Sequence, residues 1–527
     1  MSDEFDYDEM SDDELWDRLQ FSGGREKYRI LYQLAHNKLH EKEHLQALAF
    51  IQQAGDYAKS QDFLREHAHA LHMAGYLHYL LDNYDEAVIT YSQASKIMHS
   101  IGIDSDTANI EGSIGEAYWQ TRDYENASKH YEVAFNLYDS IDDYGNASVA
   151  SSDFADSMLR LGRLQEVGPW FGISAEYAKK ARDPHRLFHA FRGFARLGLL
   201  MGDSNLAIEF ATKARAIAST CSCKYCMPDS DLLLGQAYIF DGQANKGVAY
   251  IDLAHKKYHE HNAMQKQAFC ELEYGHAALL MGDYRKAQKH LEQASLFTEM
   301  FDEPLYEFKV LVAQGTLQKI FGNHVEANEL FANAYGLSKD NSYLRSVKHR
   351  MLSGYLETLE LANQGQIMLD ILHDIQEEKD SWLLSTYHRM AFSARAHLLT
   401  GNKTEALRDA DGGLVLNCDD IPAECTASLH LTRAEAFRES NPRLALDEAH
   451  KAISYFIHSG DFERAEFLAR IWVVEPDQRL REQQIAEENR NKYEEIFTEH
   501  DPITKQVQDE FKQLEGSSET NPEEGIA

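Results

Sequence analysis

The stretch YGHAALLMGDYRKAQKHLEQA, residues 274–294, decides the fold, because most of the chain is a variation on it. An apolar segment is interrupted by a Gly-Asp pair at 282–283. After this break, Ala287, Leu291 and Ala294 fall on one face of a second helix. Small and large residues at i, i+4 and i+7 are typical of an amphipathic helix. The stretch therefore predicts a helical hairpin.

The small residues of this second helix recur along the chain with a spacing of 40. The first small position is occupied by Ala47, Ala87, Ala127, Val167, Ala207, Gly247, Ala287 and Ala327. Seven residues later stand Ala54, Ala94, Ala134, Ser174, Ala214, Ala254, Ala294 and Ala334. Thirteen of these sixteen residues are alanine, and so strict a period indicates a repeat protein.

Two further features accompany each copy. A large residue lies between the two small ones in most copies, as Tyr91, Tyr131, Phe171, Ile251, Leu291 and Phe331 do. Twelve residues before the first small position, five copies carry a glycine: Gly75, Gly115, Gly235, Gly275 and Gly315. Glycine inside a helix costs about 1 kcal/mol relative to alanine. Its recurrence in register therefore predicts close helix crossing at this point.

These residues resemble the tetratricopeptide repeat, and IGEAYWQTRDYENASKHYEVA (114–134) and LGQAYIFDGQANKGVAYIDLA (234–254) match it closely. The resemblance covers roughly residues 25–474 and implies an all-α, right-handed superhelical solenoid of about eleven helix-turn-helix repeats. Two features depart from the family pattern: the period is 40 rather than 34, and the closing proline is mostly absent. Repeats of this length are similar to those of Pins-type polarity adaptors, kinesin light chains and bacterial peptide-sensing regulators, and the period does not choose among them.

We divide the chain into three parts. Residues 1–24 are predicted to form an acidic N-terminal segment and a capping helix, which Ser11 and Glu14 begin with a capping box. Residues 25–474 form the repeat solenoid. Residues 475–527 form a charged C-terminal helix and a disordered acidic tail. The alternative for this last part is a tail that folds back into the groove as an autoinhibitor.

The charge balance restricts the partners. The chain has 86 acidic and 52 basic residues, a net charge of −34, which disfavours nucleic acid and anionic membranes. We expect a protein or peptide partner, and the oligomeric state stays open.

Three features bear on the location of the protein. The first residues lack a secretory signal, and no apolar stretch reaches membrane-spanning length. Six cysteines are too few to stabilise 527 residues by disulfide bonds. These features predict a soluble, cytoplasmic protein.

The resemblance also implies where a partner binds, because helix A lines the concave surface of tetratricopeptide folds. The groove predicted in this way is aromatic at its start and cationic later, which suits an acidic peptide. Its candidate residues are His72, Tyr76, Tyr79, Asn109, Glu116, Trp119, Arg192, Arg196, Lys309, Lys319, Lys348 and Arg395. The asparagine ladder of some relatives is missing, since its positions hold residues such as Ser113 and Asp153.

A second constellation is the sequence CSCKYC, which brings Cys221, Cys223 and Cys226 into one loop. Three thiols this close can bind zinc, and the period places His259 and His261 in the next loop as candidate fourth ligands. A reduced loop without metal and a redox-active thiol are the alternatives. We assign no other cofactor.

The chain lacks Walker A, GxGxxG and GxSxG patterns, and its HExxH match at residues 40–44 falls where the repeat places a turn, not on one helix as metal binding by that motif requires. We therefore expect a non-enzymatic scaffold or adaptor that holds a protein segment in the concave groove. One alternative is a regulatory sensor that responds to a peptide or another small ligand. The other is an acidic decoy that occupies the nucleic-acid-binding surface of a partner.

Overall fold

The computed structural model describes residues 7, 10–298, 300, 303–340, 344–377, 386–415 and 422–473. Over these residues the chain forms 24 helices and no strand. The C-terminal helix and tail predicted for residues 475–527 lie outside the described residues. None of the helices is both long and apolar enough to cross a membrane, among the residues described.

The chain divides into two compact units, residues 1–362 and 363–527. The first contains α1 Asp12–Leu19, α2 Gly24–His40, α3 His44–Ser60, α4 Leu64–Leu80, α5 Tyr84–Ser100, α6 Asp104–Gln120, α7 Tyr124–Ser140, α8 Tyr144–Arg160, α9 Leu164–Lys180, α10 Pro184–Met201, α11 Ser204–Ala218, α12 Cys226–Phe240, α13 Ala244–Glu260, α14 Met264–Leu280, α15 Tyr284–Thr298, α16 Pro304–Ile320, α17 His324–Asp340 and α18 Arg345–Leu361. The second contains α19 Gly365–Glu377, α20 Thr386–Leu399, α21 Lys403–Val415, α22 Ala423–Phe437, α23 Pro442–Ser459 and α24 Phe462–Val473.

Within the first unit, consecutive helices from α2 to α17 pack as eight antiparallel pairs, and each pair packs on the next. We name the even-numbered helices A helices and the odd-numbered ones, from α3, B helices. In the second unit α20 packs on α21 and α22 on α23, and α20 also contacts α22. Helix pairs stacked in sequence order make this an all-α repeat solenoid, as the period predicted.

The face predicted to be the core is buried in every copy of the first unit. All sixteen small residues of the B helices, from Ala47 to Ala334, are buried. The large residue between them is buried as well, for example Tyr131 and Leu291. The small residues let neighbouring helices approach, and the large side chain fills the space between them.

The glycines of the A helices mark the closest crossing, as predicted. A Cβ at each would lie within about 3 Å of the large residue sixteen positions later. The five pairs are Gly75 and Tyr91, Gly115 and Tyr131, Gly235 and Ile251, Gly275 and Leu291, and Gly315 and Phe331. The side chain of helix B therefore occupies the volume that any residue larger than glycine would need.

The turn inside each hairpin repeats with the same period. Its middle residue has a positive φ in all eight copies of the first unit: Lys42, Asp82, Arg122, Gly162, Gly202, Gly242, Gly282 and Gly322. Five of the eight are glycine, which adopts this conformation without steric cost. Asp203 and Asp283 then accept hydrogen bonds from backbone amides in the first turn of helix B, those of Leu206 and Lys286. Asp82 does not, because it is itself the left-handed residue and accepts from Tyr84 instead.

Helix α1 covers the start of the first hairpin. Glu14 donates its amide to the Ser11 hydroxyl, and its carboxylate accepts from the Ser11 amide at 2.9 Å, which is the predicted capping box. Leu15 is fully buried against α2, and Trp16 contacts the ring of Phe50 at 5.6 Å. The helix therefore closes an end of the core that would otherwise be exposed.

Candidate functional site

The A helices form the inner face of the first unit. Most A helices contact the next A helix along, whereas successive B helices do not approach one another as closely. In a stack of hairpins this difference places the A helices on the concave side. Helices α6 and α8 are an exception, because they pack on each other less closely than α8 and α10 do.

A cavity of about 320 Å³ lies at this place, between α4, α6 and α8. It is lined by Tyr76, Tyr79, Tyr91, Asn109, Gly112, Ser113, Glu116, Tyr131, Tyr138, Asn146, Val149, Ala150 and Asp153. Four of the predicted groove residues are among them: Tyr76, Tyr79, Asn109 and Glu116. The thirteen described lining residues include five tyrosines and two carboxylic acids, and no lysine, arginine or histidine.

Glu116 is at the centre of a hydrogen-bond network in the cavity wall. Its carboxylate accepts from the hydroxyls of Tyr79 at 3.1 Å and Tyr131 at 3.2 Å. The amide of Gln120 donates to it at 2.8 Å. Burial and the nearby Glu116 carboxylate raise the pKa of Tyr79 to about 12, so its hydroxyl remains a donor at neutral pH. These contacts hold Glu116 in one orientation.

Asp153 contributes the second carboxyl group, from α8. Burial is the main cause that raises the pKa of Asp153, to about 8. The nearby carboxylates of Asp156 and Glu116 add to this effect, and Arg192 opposes it. Two carboxyl groups near one buried site cannot both ionise cheaply. Asp153 therefore keeps its proton at neutral pH, and the cavity favours a ligand that can stabilise a second negative charge.

The tyrosines give the cavity aromatic walls and a fixed shape. Tyr138 donates its hydroxyl to the side chain of Asn109 at 2.6 Å. Tyr76 is 44% exposed and its ring stacks on Tyr79, with 6.5 Å between the ring centroids. A ligand can therefore reach the face of Tyr76 without displacing a buried side chain.

Two predicted groove residues, His72 and Trp119, do not line the cavity. His72 pairs with Ser113 at 3.1 Å, and burial lowers its pKa to about 4. The ring of Trp119 packs edge-on against Tyr124 at 4.9 Å, and the guanidinium of Arg160 lies over it at 5.8 Å. Both residues hold neighbouring hairpins together.

The predicted cationic part of the groove is internally paired. Arg196 forms an ion pair of 2.9 Å with Asp156 of the preceding A helix. Arg192 lies 3.9 Å from Asp229 of the following one. These arginines therefore bridge successive repeats.

Two further predicted cations pair in the same way. Lys319 forms an ion pair with Glu357 in the first unit, and Arg395 pairs with Glu435 at 2.8 Å in the second. Arg395 is only 7% exposed. The partners are 38 and 40 residues apart, so each contact joins one repeat to the next.

Lys309 and Lys348 also lie beside specific neighbours. Lys309, with His276, lies close enough to the buried Glu273 to lower its pKa to about 2, although burial opposes this. Lys348 is 2% exposed and its ammonium lies 4.8 Å from the ring centre of Tyr335. Neither residue resembles a solvated charge on an open groove.

Sequence reasoning placed only four of the thirteen described lining residues in the site. Tyr91, Tyr131 and Tyr138 come from B helices, which the groove prediction did not consider. Tyr91 and Tyr131 were assigned to the core, and they do pack there, but both also line the cavity. The sequence marks Asp153 only as a departure from an asparagine ladder. Its position beside Glu116 on the neighbouring A helix was the signal that could have identified it.

The structure brings the loop cysteines together with a histidine that was not predicted. Ligand atoms of Cys223, Cys226 and His185 all lie within 4.8 Å of one another, and Cys221 packs against the same apolar cluster as Cys226. His261, one of the expected ligands, instead packs its ring against Tyr225 at 5.8 Å. The group therefore joins this loop to the preceding repeat.

Comparison with known proteins supports the repeat assignment. A tetratricopeptide repeat family model matches residues 66–140, which span α4 to α7 and most of the cavity wall. No curated protein matches the sequence at a significant level.

Several solved structures are similar to this chain. The apo form of RapI has a TM-score of 0.45 and 12% identity, and the match covers 52% of this chain and 98% of RapI. A Rap protein complexed with Competence and Sporulation Factor has a TM-score of 0.43 and 14% identity, with 76% and 100% covered. A STAND protein with a tetratricopeptide repeat sensor from Pyrococcus horikoshii has a TM-score of 0.39 and 13% identity, with 63% and 53% covered.

The family match lies on two of the helix pairs, and the same pair recurs every 40 residues from α2 to α17. Residues 66–140 are therefore matched as tetratricopeptide repeats, and the helix pairs on either side repeat the same architecture.

Proposed function

We propose that this chain is a non-enzymatic adaptor that holds a segment of a partner protein along the inner face of its A helices. The cavity between α4, α6 and α8 is the anchor of this site, and it receives a basic side chain, lysine or arginine. One observation carries the proposal: the cavity wall combines five tyrosines with two carboxylic acids and contains no cation.

The chemistry of the wall favours a cation over an anion. A lysine or arginine over a tyrosine face gains a cation–π interaction of about 0.5–2 kcal/mol. Glu116 supplies a carboxylate whose position is already fixed by Tyr79 and Tyr131. A bound cation also favours ionised Asp153, so binding near neutral pH releases a proton. The net charge of −34 attracts such a partner at long range.

An acidic peptide, which the sequence suggested, is a poorer ligand for this face. Arg196, Lys319 and Arg395 each hold an acidic side chain of a neighbouring helix. An acidic ligand would have to break these pairs and leave their carboxylates uncompensated. The expectation of a protein or peptide partner therefore stands, with the sign of its charge reversed.

The remaining expectations stay predictions. Exclusion of nucleic acid and anionic membranes, and location in the cytoplasm, are predictions from the charge and sequence of the chain. The sensor and decoy alternatives stay predictions as well.

The test is a selection of peptides from a random display library on the immobilised full chain. We expect enriched peptides to share one lysine or arginine, and replacing it with citrulline or norleucine should abolish binding. The enriched peptide is then titrated against Tyr76→Ala, which removes an exposed ring from the cavity mouth. Loss of a cation–π contact predicts about 2- to 30-fold weaker binding.

Tyr284→Ala is the matched control. Tyr284 is 37% exposed and packs against the ring of Phe321 at 6.1 Å, so it resembles Tyr76 but does not line the cavity. It should bind the peptide like the unchanged chain. Enrichment of acidic peptides, or equal loss in both variants, would contradict the proposed function.

A further inference from the structure

The loop between α11 and α12 breaks the repeat where the cysteines stand. The connections before α4, α6, α8, α10 and α14 are three residues long, whereas residues 219–225 form a connection of seven. The period of 40 is nevertheless preserved. Helix α11 ends two residues before the position where α9 ends in its own repeat, and α12 begins two residues later than α10 does. Both helices are therefore shortened to make room for this loop.

The backbone of the loop differs as well. The five short connections each place a residue with positive φ at their centre: Asp62, Gly102, Asp142, Arg182 and Asn262. No residue of 219–225 has a positive φ. The loop has therefore lost the turn that joins hairpins elsewhere, and side chains must fix its path.

The three cysteine side chains of this region pack against one apolar cluster. Cys226 is the first residue of α12 and is buried beside Phe188 and Ala218. Cys221 and Cys223 pack against the same cluster from the loop. The Cys221 thiol donates to the carbonyl of Ile217 at 3.5 Å.

His185 reaches the cysteines from the first turn of α10, one repeat earlier. Its backbone amide donates to the Asp183 side chain at 2.9 Å, so the helix cap fixes its position. Its ring packs against His189, with 3.3 Å between their Nε2 atoms. The imidazole is thereby oriented before any ligand binds.

We propose that Cys221, Cys223, Cys226 and His185 form a structural zinc site that joins α10 to the α11–α12 loop. Zinc prefers four thiolate and imidazole ligands in a tetrahedron at about 2.0–2.3 Å, which places the ligand atoms about 3.3–3.8 Å apart. Ligand atoms of Cys223, Cys226 and His185 already lie within 4.8 Å of one another, so shifts of about 1 Å bring these three to the required spacing. Cys221, which packs against the same cluster, would supply the fourth ligand.

The surroundings of Cys226 make a metal ion useful. Cys226 is buried, and a buried thiolate needs a positive charge nearby. A divalent cation would supply the charge that a buried thiolate at this position lacks. The metal would then take the place of the missing turn in fixing the register of the two hairpins.

The test is zinc binding by the full chain, purified in reductant, stripped of metal and titrated with Zn²⁺ against a chromophoric chelator. We expect one zinc per chain. With Co²⁺ in its place, we expect a thiolate-to-cobalt charge-transfer band. Cys223→Ser should reduce this band, and His185→Ala should shift the ligand-field bands. Each should weaken binding by about 10-fold or more.

His261→Ala is the matched control, because His261 lies beside the same loop but contacts Tyr225. It should bind zinc like the unchanged chain. Cys223 is partly exposed and His185 is exposed. Circular dichroism of each variant checks that its helix content is unchanged. Absence of stoichiometric zinc would overturn the proposal. So would a His185→Ala variant with unchanged affinity and cobalt spectrum, or a His261→Ala variant weakened as much as His185→Ala.

Discussion

The crossing of α6 and α7 predicts that a single methyl group will disturb both the fold and the cavity. A Cβ at residue 115 would lie 2.7 Å from Cε1 of Tyr131, whereas ordinary contacts begin at 3.4 Å. In Gly115→Ala the ring must therefore move by about 3.4 − 2.7 = 0.7 Å. Its hydrogen bond to Glu116, now 3.2 Å, would lengthen to as much as about 3.2 + 0.7 = 3.9 Å and break.

The energetic cost follows from two opposing terms. Overpacking of this kind destabilises by about 1–3 kcal/mol, and replacing a helical glycine with alanine returns about 1 kcal/mol. The net loss of about 0–2 kcal/mol corresponds to amide exchange up to about 30-fold faster in residues 104–140. Hydrogen exchange with mass spectrometry measures this locally, which avoids assuming two-state unfolding of a repeat protein.

Gly172→Ala is the control for this prediction. Gly172 is an exposed helical residue of α9, and a Cβ there would meet nothing within 4 Å. The same substitution should slow exchange in residues 164–180 by up to about 5-fold, because only the helix propensity changes. If Gly115→Ala slowed exchange as much as Gly172→Ala, the steric account of the crossing would be refuted.

Three further predictions concern charge. In the folded chain the raised pKa of Asp153 holds a proton that the unfolded chain releases, so the unchanged chain loses stability as pH rises from about 4 to about 8. Asp153→Asn should abolish this contribution to the pH dependence. Urea unfolding at several pH values measures the free energy of unfolding. Buried His72 stays neutral as pH falls from about 6.5 to about 4, whereas the unfolded residue gains a proton, so the unchanged chain loses stability in this range. His72→Asn should reduce this loss. If the unfolding free energy of the variant changed with pH as steeply as that of the unchanged chain, the prediction would be wrong. Arg196→Met should cost less than about 1 kcal/mol of unfolding free energy, since its pair with Asp156 is partly exposed, and it should leave binding of a basic peptide unchanged; weaker binding of that peptide in a titration would place Arg196 in the site.

The sequence was sufficient to predict the scaffold because the scaffold repeats. Each copy has small and large residues at the same positions. A different residue at one position, such as Val167 or Gly247 in place of alanine, therefore does not hide the period. The crossing glycines, the hairpin turn and the capping box follow from local chemistry that needs no knowledge of distant residues. The division of the chain at residue 362 has no comparable signal in the sequence.

The site was predicted only in part, because it depends on neighbours about 40 residues apart. The cations of the A helices were interpreted as a ligand surface, yet Arg192, Lys319 and Arg395 each have an acid 37 to 40 residues later. That spacing is one repeat, and it could have been read as internal pairing. The same applies to the cysteine loop. The period predicts a histidine from one repeat ahead, whereas the structure supplies His185 from one repeat behind.

The most direct test of the central claim, that the cavity binds a basic side chain, is a double-mutant cycle. It measures the Kd of the selected peptide and of its citrulline analogue for the unchanged chain and for Glu116→Gln. If the cation lies beside Glu116, the two changes will couple by about 1–3 kcal/mol. Strictly additive losses, with no coupling energy, would contradict the account.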